Sequence, residues 1–226
     1  MTMIVTVDGP AGAGKSSAAR ALAERLGFQY LDTGAMYRAV VWAAQQRGVD
    51  CTRSEDLAAV ARSIHIELDG SRVLVDGRDI GPAIRTKAIT AAVRHAADNL
   101  AVRGRLVELQ RELAQRLDTV TEGRDQGTVA FPDAECKLFL TATPEERARR
   151  RVQELASRGQ PASFEEILQA QNRRDREDAT RPVGRLVPAA DAVEVVTDGI
   201  PLAAVVDRLE EIVRNKLWQS CRCSNA

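Results

Sequence analysis

The chain opens on a run of apolar and β-branched residues, Met3–Val7, that ends in Asp8 and passes through a glycine-rich turn into Lys15–Leu26. In that second stretch Ala18, Ala19, Leu22, Ala23 and Leu26 recur at helical spacing. The pattern predicts a buried strand followed by an amphipathic helix. It then repeats: "FQYLD" reads as a second strand and "TGAMYRAVVWAAQQRG" as a helix stopped by Gly48. Strand then helix, twice in succession, predicts a parallel α/β sheet.

Beyond this point the period changes. "IHIEL" and "RVLVD" alternate every second residue around "DGS", which predicts an antiparallel hairpin set apart from the main sheet. Two helices are expected at roughly Thr86–Asn99 and Val102–Asp118, the second with Val102, Leu106, Leu109, Leu113 and Leu117 on one stripe. "TVTEGRD" and "KLFLTAT" are strand-like, with a turn at Phe131-Pro132-Asp133 between them. Thr143-Pro144-Glu145-Glu146 and Ser163-Phe164-Glu165-Glu166 both fit a capping box, and Pro144 falls at N1 where its missing N–H costs nothing. "DAVEVVT" is a last strand, Leu202–Trp218 a closing helix, and "SCRCSNA" a frayed tail. About five core strands are expected, with no repeat and no linker long enough for two independent domains.

Composition narrows the class. At 226 residues with 44% hydrophobic and 28% charged positions, the chain is an ordinary globular one. It has no apolar run of membrane-spanning length and no signal-peptide pattern, so a cytoplasmic location is expected. Lys+Arg and Asp+Glu balance at 32 each, which argues against a broad nucleic-acid footprint. Cys51, Cys136, Cys221 and Cys223 are too scattered for a disulfide framework, and Cys221-x-Cys223 lacks the further ligands of a zinc site.

The turn itself carries the chemistry. Gly9-Pro10-Ala11-Gly12-Ala13-Gly14-Lys15-Ser16 fits G-x-x-x-x-G-K-S/T between a strand and a helix, the setting that gives this motif its meaning. Glycines let successive N–H groups curl inward as an anion nest, and the helix N-terminus adds partial positive charge. Lys15 can reach β- and γ-phosphates, and the Ser16 hydroxyl can ligate Mg²⁺. The expected ATP-binding set is Gly9, Pro10, Ala11, Gly12, Ala13, Gly14, Lys15, Ser16 and Ser17.

Such loops serve switches, motors and kinases alike, so the arginines decide. Arg38 follows "DTGAMY", and Arg124 with Asp125 follows the strand-like "TVTEG"; both places are where ligands of open α/β sheets bind. Ten arginines lie between Arg147 and Arg185, in a region that reads as a helical hairpin able to close as a lid. Guanidinium forks suit a small polyanion, and phosphoryl transfer needs positioned positive charge rather than a nucleophile. Arg149, Arg150 and Arg151 lie at helical spacing from glutamates and read as a solvated, paired face. His65, His95, Trp42 and Trp218 read as structural.

These residues resemble a known family. "DGPAGAGKSSAARALAERLGFQYLDTGAMYRA", "EGRDQGTVAFPDA", "LFLTATPEERARRR" and "PVGRLVPAADAVEVVTDG" are similar, in order and across nearly the whole chain, to the bacterial cytidylate kinases. The resemblance implies an α/β P-loop three-layer sandwich with a parallel five-stranded core sheet. The core would be 1–62 and 101–226, with a monophosphate-binding insertion at about 63–100 and a helical lid at about 157–185. It implies transfer of the ATP γ-phosphoryl, with Mg²⁺ held by Ser16, to CMP or dCMP. Small nucleotides would be the partners, with no nucleic acid, no membrane, and a monomeric protein. By motif, Lys15, Arg124 and Arg181 would be catalytic. Thr33, Arg38, Arg103, Arg124, Asp125, Arg174, Asp178 and Arg181 would bind the acceptor: Arg38, Arg124 and Arg181 its phosphate, Arg174 and Asp178 its sugar. Thr33, Arg103 and Asp125 would meet the base, since a carboxylate accepts from the cytosine amino group and repels uracil O4.

Three departures from the family pattern stand out: Glu122 stands where Asp is frequent, Arg94 where a serine is expected, and Arg176-Glu177 reverses the acid–arginine order of the lid. Two other readings remain open on the residues: a P-loop kinase of another small molecule, such as shikimate or gluconate, or a nucleotide-dependent switch without transfer activity.

Overall fold

The computed structural model describes residues 2–69, 72–157 and 159–223, with the side chains of 69 and 217–223 outside that description. β1 (Ile4–Asp8) leads to α1 (Lys15–Leu26), β2 (Gln29–Asp32) and α2 (Thr33–Gln46). Next come α3 (Ser54–Ser63), β3 (Ile66–Asp69), β4 (Arg72–Val75), β5 (Arg78–Asp79), a 3₁₀ turn at Ala83–Arg85, α4 (Lys87–Asp98) and α5 (Leu100–Ala114). β6 (Thr119–Glu122), a π-helical turn at Gln126–Ala130, β7 (Cys136–Thr141), α6 (Pro144–Ser157), α7 (Phe164–Thr180), β8 (Val193–Val196) and α8 (Leu202–Cys223) follow. The chain divides into two compact units, one of Met1–Tyr30 with Asp118–Ala226 and one of Leu31–Leu117.

The first unit is built on a five-stranded parallel sheet in the order β2-β6-β1-β7-β8. Val5 of β1 stands opposite Val120 on one side and Cys136 on the other. Central strands covered on both faces must be apolar along their length, and β6 and β1 are buried at every or nearly every position. Ala18, Ala19 and Leu22 of α1 and Val205, Val206, Leu209 and Val213 of α8 pack into this core. β1, at the centre, delivers its C-terminal Asp8 straight into the glycine turn. Helix starts follow the capping chemistry read from the sequence: Thr143 Oγ1 accepts from the Glu146 N–H at 3.3 Å, and Ser163 Oγ from that of Glu166 at 3.4 Å.

The second unit packs the apolar face of α2 (Ala35, Met36, Ala39, Val40, Ala43) with Leu57, Val60 and Ala61 of α3 and Ile66, Val73 and Val75 of the small sheet. That sheet is antiparallel, order β3-β4-β5, with Leu68 opposite Val73, as the period-two pattern predicted. Gly70 and Ser71 of its first turn lie outside the described residues.

Five features depart from expectation. α3 and β5 were not anticipated, and the 119–136 connection contains the π-helical turn ahead of the Phe131-Pro132-Asp133 bend. α5 stops at Ala114, which leaves Leu117 past the helix end and 59% exposed rather than on its buried stripe. α8, expected to end at Trp218, runs to Cys223. The readings of Trp218 and the Cys221–Cys223 side chains fall outside the described residues. Among the described residues no helix is long and apolar enough to cross a membrane.

Candidate active site

The phosphate-binding loop has the conformation its glycines allow. Gly9, Gly12 and Gly14 have φ of 145°, 82° and 87°. A Cβ on Gly9 would come within 1.9 Å of the Leu140 carbonyl oxygen of β7, so the loop can leave β1 at this angle only with glycine. Gly14 is the N-cap of α1 and supplies no side-chain cap, which leaves first-turn N–H groups for an incoming anion.

Lys15 is buried, 5% exposed, and its Nζ donates to the Pro10 carbonyl at 2.8 Å. Burial lowers its pKa to about 7; the charges of Arg124 and Arg174 push the same way, and those of Glu122 and Asp8 oppose them. Beside it, Ser16 Oγ donates to Glu122 Oε1 at 2.5 Å, and Tyr30 Oη donates to the same oxygen at 3.1 Å. The expected metal-ligating hydroxyl and the acidic strand end are thus brought together.

Asp8 has a role the sequence reading missed. Its carboxylate is 4% exposed and accepts from the backbone N–H groups of Gln126 at 2.9 Å and Gly127 at 2.8 Å. Desolvation raises its pKa to about 6 against the pull of those two bonds. The clamp ties the π-helical turn to the end of β1, and so fixes the segment that carries Arg124 and the buried Asp125. The available signal was an acid placed directly before the glycine loop.

Across the same unit, Asp178 of α7 collects arginines. Arg124 Nε donates to its Oδ2 at 3.0 Å, Arg181 Nη2 lies 2.8 Å from Oδ1, and Arg174 Nε stands 3.9 Å from Oδ2. Asp178 is 1% exposed. Four of the predicted acceptor residues, Arg124, Arg174, Asp178 and Arg181, therefore form one cluster. The carboxylate expected to meet a sugar is thus also the shared partner of three guanidinium groups. Arg176 and Glu177 of the reversed pair are exposed and stand outside it.

A second missed residue is Arg147 of α6, 3% exposed. It donates to the carbonyls of Ala142 at 3.0 Å and Ala11 at 3.1 Å and pairs with Asp175 Oδ2 at 2.7 Å. Its neighbours behave as the paired face predicted: Arg149 bonds Glu146, and Arg151 meets Glu154 at 2.6 Å. Arg150 does more, since besides Glu146 it reaches the Thr197 hydroxyl at 3.0 Å.

In the 31–117 unit, Asp32 caps α2 by accepting from the Ala35 N–H at 2.9 Å. Thr33 is buried at the start of that helix. Arg38, half-buried, donates to Thr90 Oγ1 at 2.9 Å. Arg103 is 5% exposed, donates to the Ala97 carbonyl at 3.1 Å, and lies over the Tyr37 ring at 5.7 Å. Arg94, one turn beyond Thr90 on α4, is exposed. His65 is exposed and His95 half-buried.

A glycine loop leaving the central strand of a parallel sheet, a buried lysine at its base and a guanidinium cluster on a flanking helix define a P-loop kinase. Solved structures share the fold at low identity. A gluconokinase from Sinorhizobium meliloti 1021 matches at TM-score 0.50 and 17% identity over 96% of this chain and 97% of that one. A protein described as uncharacterized from Eubacterium ventriosum matches at 0.52 and 11% over 94% and 99%.

The chain belongs to the cytidylate kinase family, whose model matches residues 5–215. It is 52% identical to a cytidylate kinase of Rhodopirellula baltica over 94% of this chain and 93% of that protein. It is 49% identical to one from Pelotomaculum thermopropionicum over 89% and 92%. A bifunctional pantoate ligase/cytidylate kinase of Synechococcus (strain WH7803) is also 49% identical, but the chain spans only 44% of its length.

Proposed function

We propose that this enzyme transfers the γ-phosphoryl group of ATP to CMP or dCMP, releasing ADP and CDP or dCDP. The observation that carries the reading is the guanidinium cluster within the first unit: Arg124, bonded to Asp178 at 3.0 Å beside Arg174 and Arg181, also repels the Lys15 ammonium of the donor loop. Donor-site and acceptor-site cations therefore feel each other's charge.

In this reading the Gly9–Ser17 loop holds the triphosphate through its N–H groups, and Lys15 neutralises charge on the β- and γ-phosphates. Arg124 and Arg181 hold the acceptor phosphate, oriented by Asp178, with Arg38 supplying a third guanidinium. Arg174 and Asp178 lie toward the sugar, while Thr33, Arg103 and Asp125 read the base. Residues 157–185 act as the lid and 63–100 as the monophosphate-binding insertion.

Ser16 and Glu122 suit Mg²⁺, since both offer hard oxygens beside the donor loop, hydrogen-bonded to each other here, and this ion binds through one or two protein oxygens plus phosphates and water. When bound it would neutralise charge on the β- and γ-oxygens of the donor.

An ADP-release assay over CMP, dCMP, UMP, AMP and GMP tests the proposal. A preference for a cytosine nucleotide of about tenfold or more is expected, the scale of one well-placed base contact. UMP or AMP favoured by that margin would overturn the base assignment. Turnover confined to a non-nucleotide acceptor would favour the rival small-molecule kinase.

A further inference from the structure

α7 docks by polar contact. A helix on the face of a domain usually buries an apolar stripe, yet the buried residues of α7 are Gln171 and Asp178. Asp175 lies between them, so 171, 175 and 178 follow i, i+4, i+7 on one face. Each has a partner of consequence. Gln171 Nε2 donates to the Arg147 carbonyl at 3.2 Å, Asp175 takes the Arg147 guanidinium, and Asp178 takes Arg124, Arg174 and Arg181.

Arg147 also reaches the donor loop, through the Ala11 carbonyl. In a trans peptide the C=O and the following N–H point in opposite directions. Holding the Ala11 carbonyl outward therefore turns the Gly12 N–H toward the anion nest. Gly12 is pressed against the same partners: a Cβ there would sit 3.1 Å from both Arg147 Cβ and Gln171 Nε2.

We propose that Arg147, gripped by Gln171 and Asp175, is a positioning residue that couples the donor loop to the acceptor arginines through α7. Anything that sets the loop peptide sets Arg147, which sets the face of α7 on which Asp178 holds Arg124 and Arg181. Donor and acceptor then bind cooperatively, each favouring the same placement of α7. This rests on the reading of Arg124 and Arg181 as the acceptor-phosphate grip.

The test is calorimetric titration of the full chain with CMP, alone and with a saturating non-hydrolysable ATP analogue plus Mg²⁺. In the unmodified enzyme the CMP Kd should tighten about fivefold or more, with reciprocal tightening of the analogue by CMP. Asp175→Asn keeps shape but removes the negative charge that pairs with Arg147; Arg147→Lys keeps charge but cannot span two carbonyls and a carboxylate. Both should shrink the coupling to less than about twofold while changing CMP affinity in the absence of donor far less. Variants that melt earlier, or bind both ligands more weakly, yet retain the full coupling factor would overturn the proposal. So would an unmodified enzyme that shows no coupling. An enzyme that does not bind CMP at all would instead strike the acceptor assignment.

Discussion

Lys15 should make ATP binding proton-coupled near neutral pH. Its pKa falls from 10.5 to about 7 because burial penalises the ammonium and Arg124 repels it. A group whose folded pKa is depressed in this way is costly in its charged form. The fall from 10.5 to about 7 corresponds to about 5 kcal/mol. The unliganded protein therefore gains stability as pH rises from about 7 toward 10.5, where the unfolded chain still holds the proton. Triphosphate binding reverses the balance by giving the ammonium a counter-charge. If only the protonated form grips ATP, the protonated fraction at pH 8 is about one-tenth and affinity drops roughly fivefold between pH 7 and 8. Calorimetry of a non-hydrolysable analogue in buffers of different ionisation enthalpy should show about 0.9 proton taken up per nucleotide at pH 8. Arg124→Ala removes the second-largest cause of the shift and should move the onset to higher pH, a comparison in which the nucleotide's own titration cancels. Affinity flat from pH 6 to 9 with no proton uptake, or an onset moved downward in Arg124→Ala, would refute the reasoning.

Three other perturbations have definite outcomes. Gly9→Ala forces a Cβ to 1.9 Å from a backbone oxygen and should cost about 3 kcal/mol, a fall in Tm of roughly 6–12 °C by thermal melting; an unchanged Tm would contradict the close approach of loop and β7. Asp178→Asn leaves Arg124, Arg174 and Arg181 without their shared carboxylate and should destabilise by about 3 kcal/mol. CMP should restore more Tm in this variant than in the unmodified enzyme, and equal ligand shifts would show that the cluster does not meet the acceptor phosphate. Asp125→Asn should relax the preference for CMP over UMP by tenfold or more in kcat/KM, and an unchanged ratio would place base reading elsewhere.

The elements most legible in the chain were those where one periodicity or one turn governs. Lys15–Leu26 was read with both ends correct because glycines bound it and its alanine and leucine spacing is regular. Thr143 and Ser163 marked their helices through a cap that sidechain chemistry alone specifies. α3 was missed because its Ser54–Ser63 span is only ten residues and carries no side-chain cap at Arg53. The π-helical turn has no sequence period of its own; it exists because Asp8 draws the Gln126 and Gly127 N–H groups toward β1, across 118 and 119 positions of chain. In the site, the donor loop could be read because its ligand contacts are backbone groups that glycine spacing announces. Arg147 was hidden among arginines that do form a solvated face, and its burial follows from Ala11 lying 136 positions away.

The buried charges explain why the site is built at some expense to the fold. Lys15 is costly when charged, and so is Asp8, whose pKa of about 6 means that stability present below 3.8 is lost as pH rises to about 6. A sequence optimised only for folding would replace both with apolar residues of similar volume, since burying a charged group costs stability. Their joint retention makes sense if each serves a ligand-bound state. Asp8 must stay ionised to hold two N–H groups at once, which an asparagine cannot do because one of its two terminal atoms donates. That clamp sets Arg124, and Arg124 in turn depresses Lys15. The unliganded site thus carries a repulsion between its cations that a phosphate placed between them would convert into attraction, so the same geometry that weakens the fold supplies differential binding of the charge being transferred.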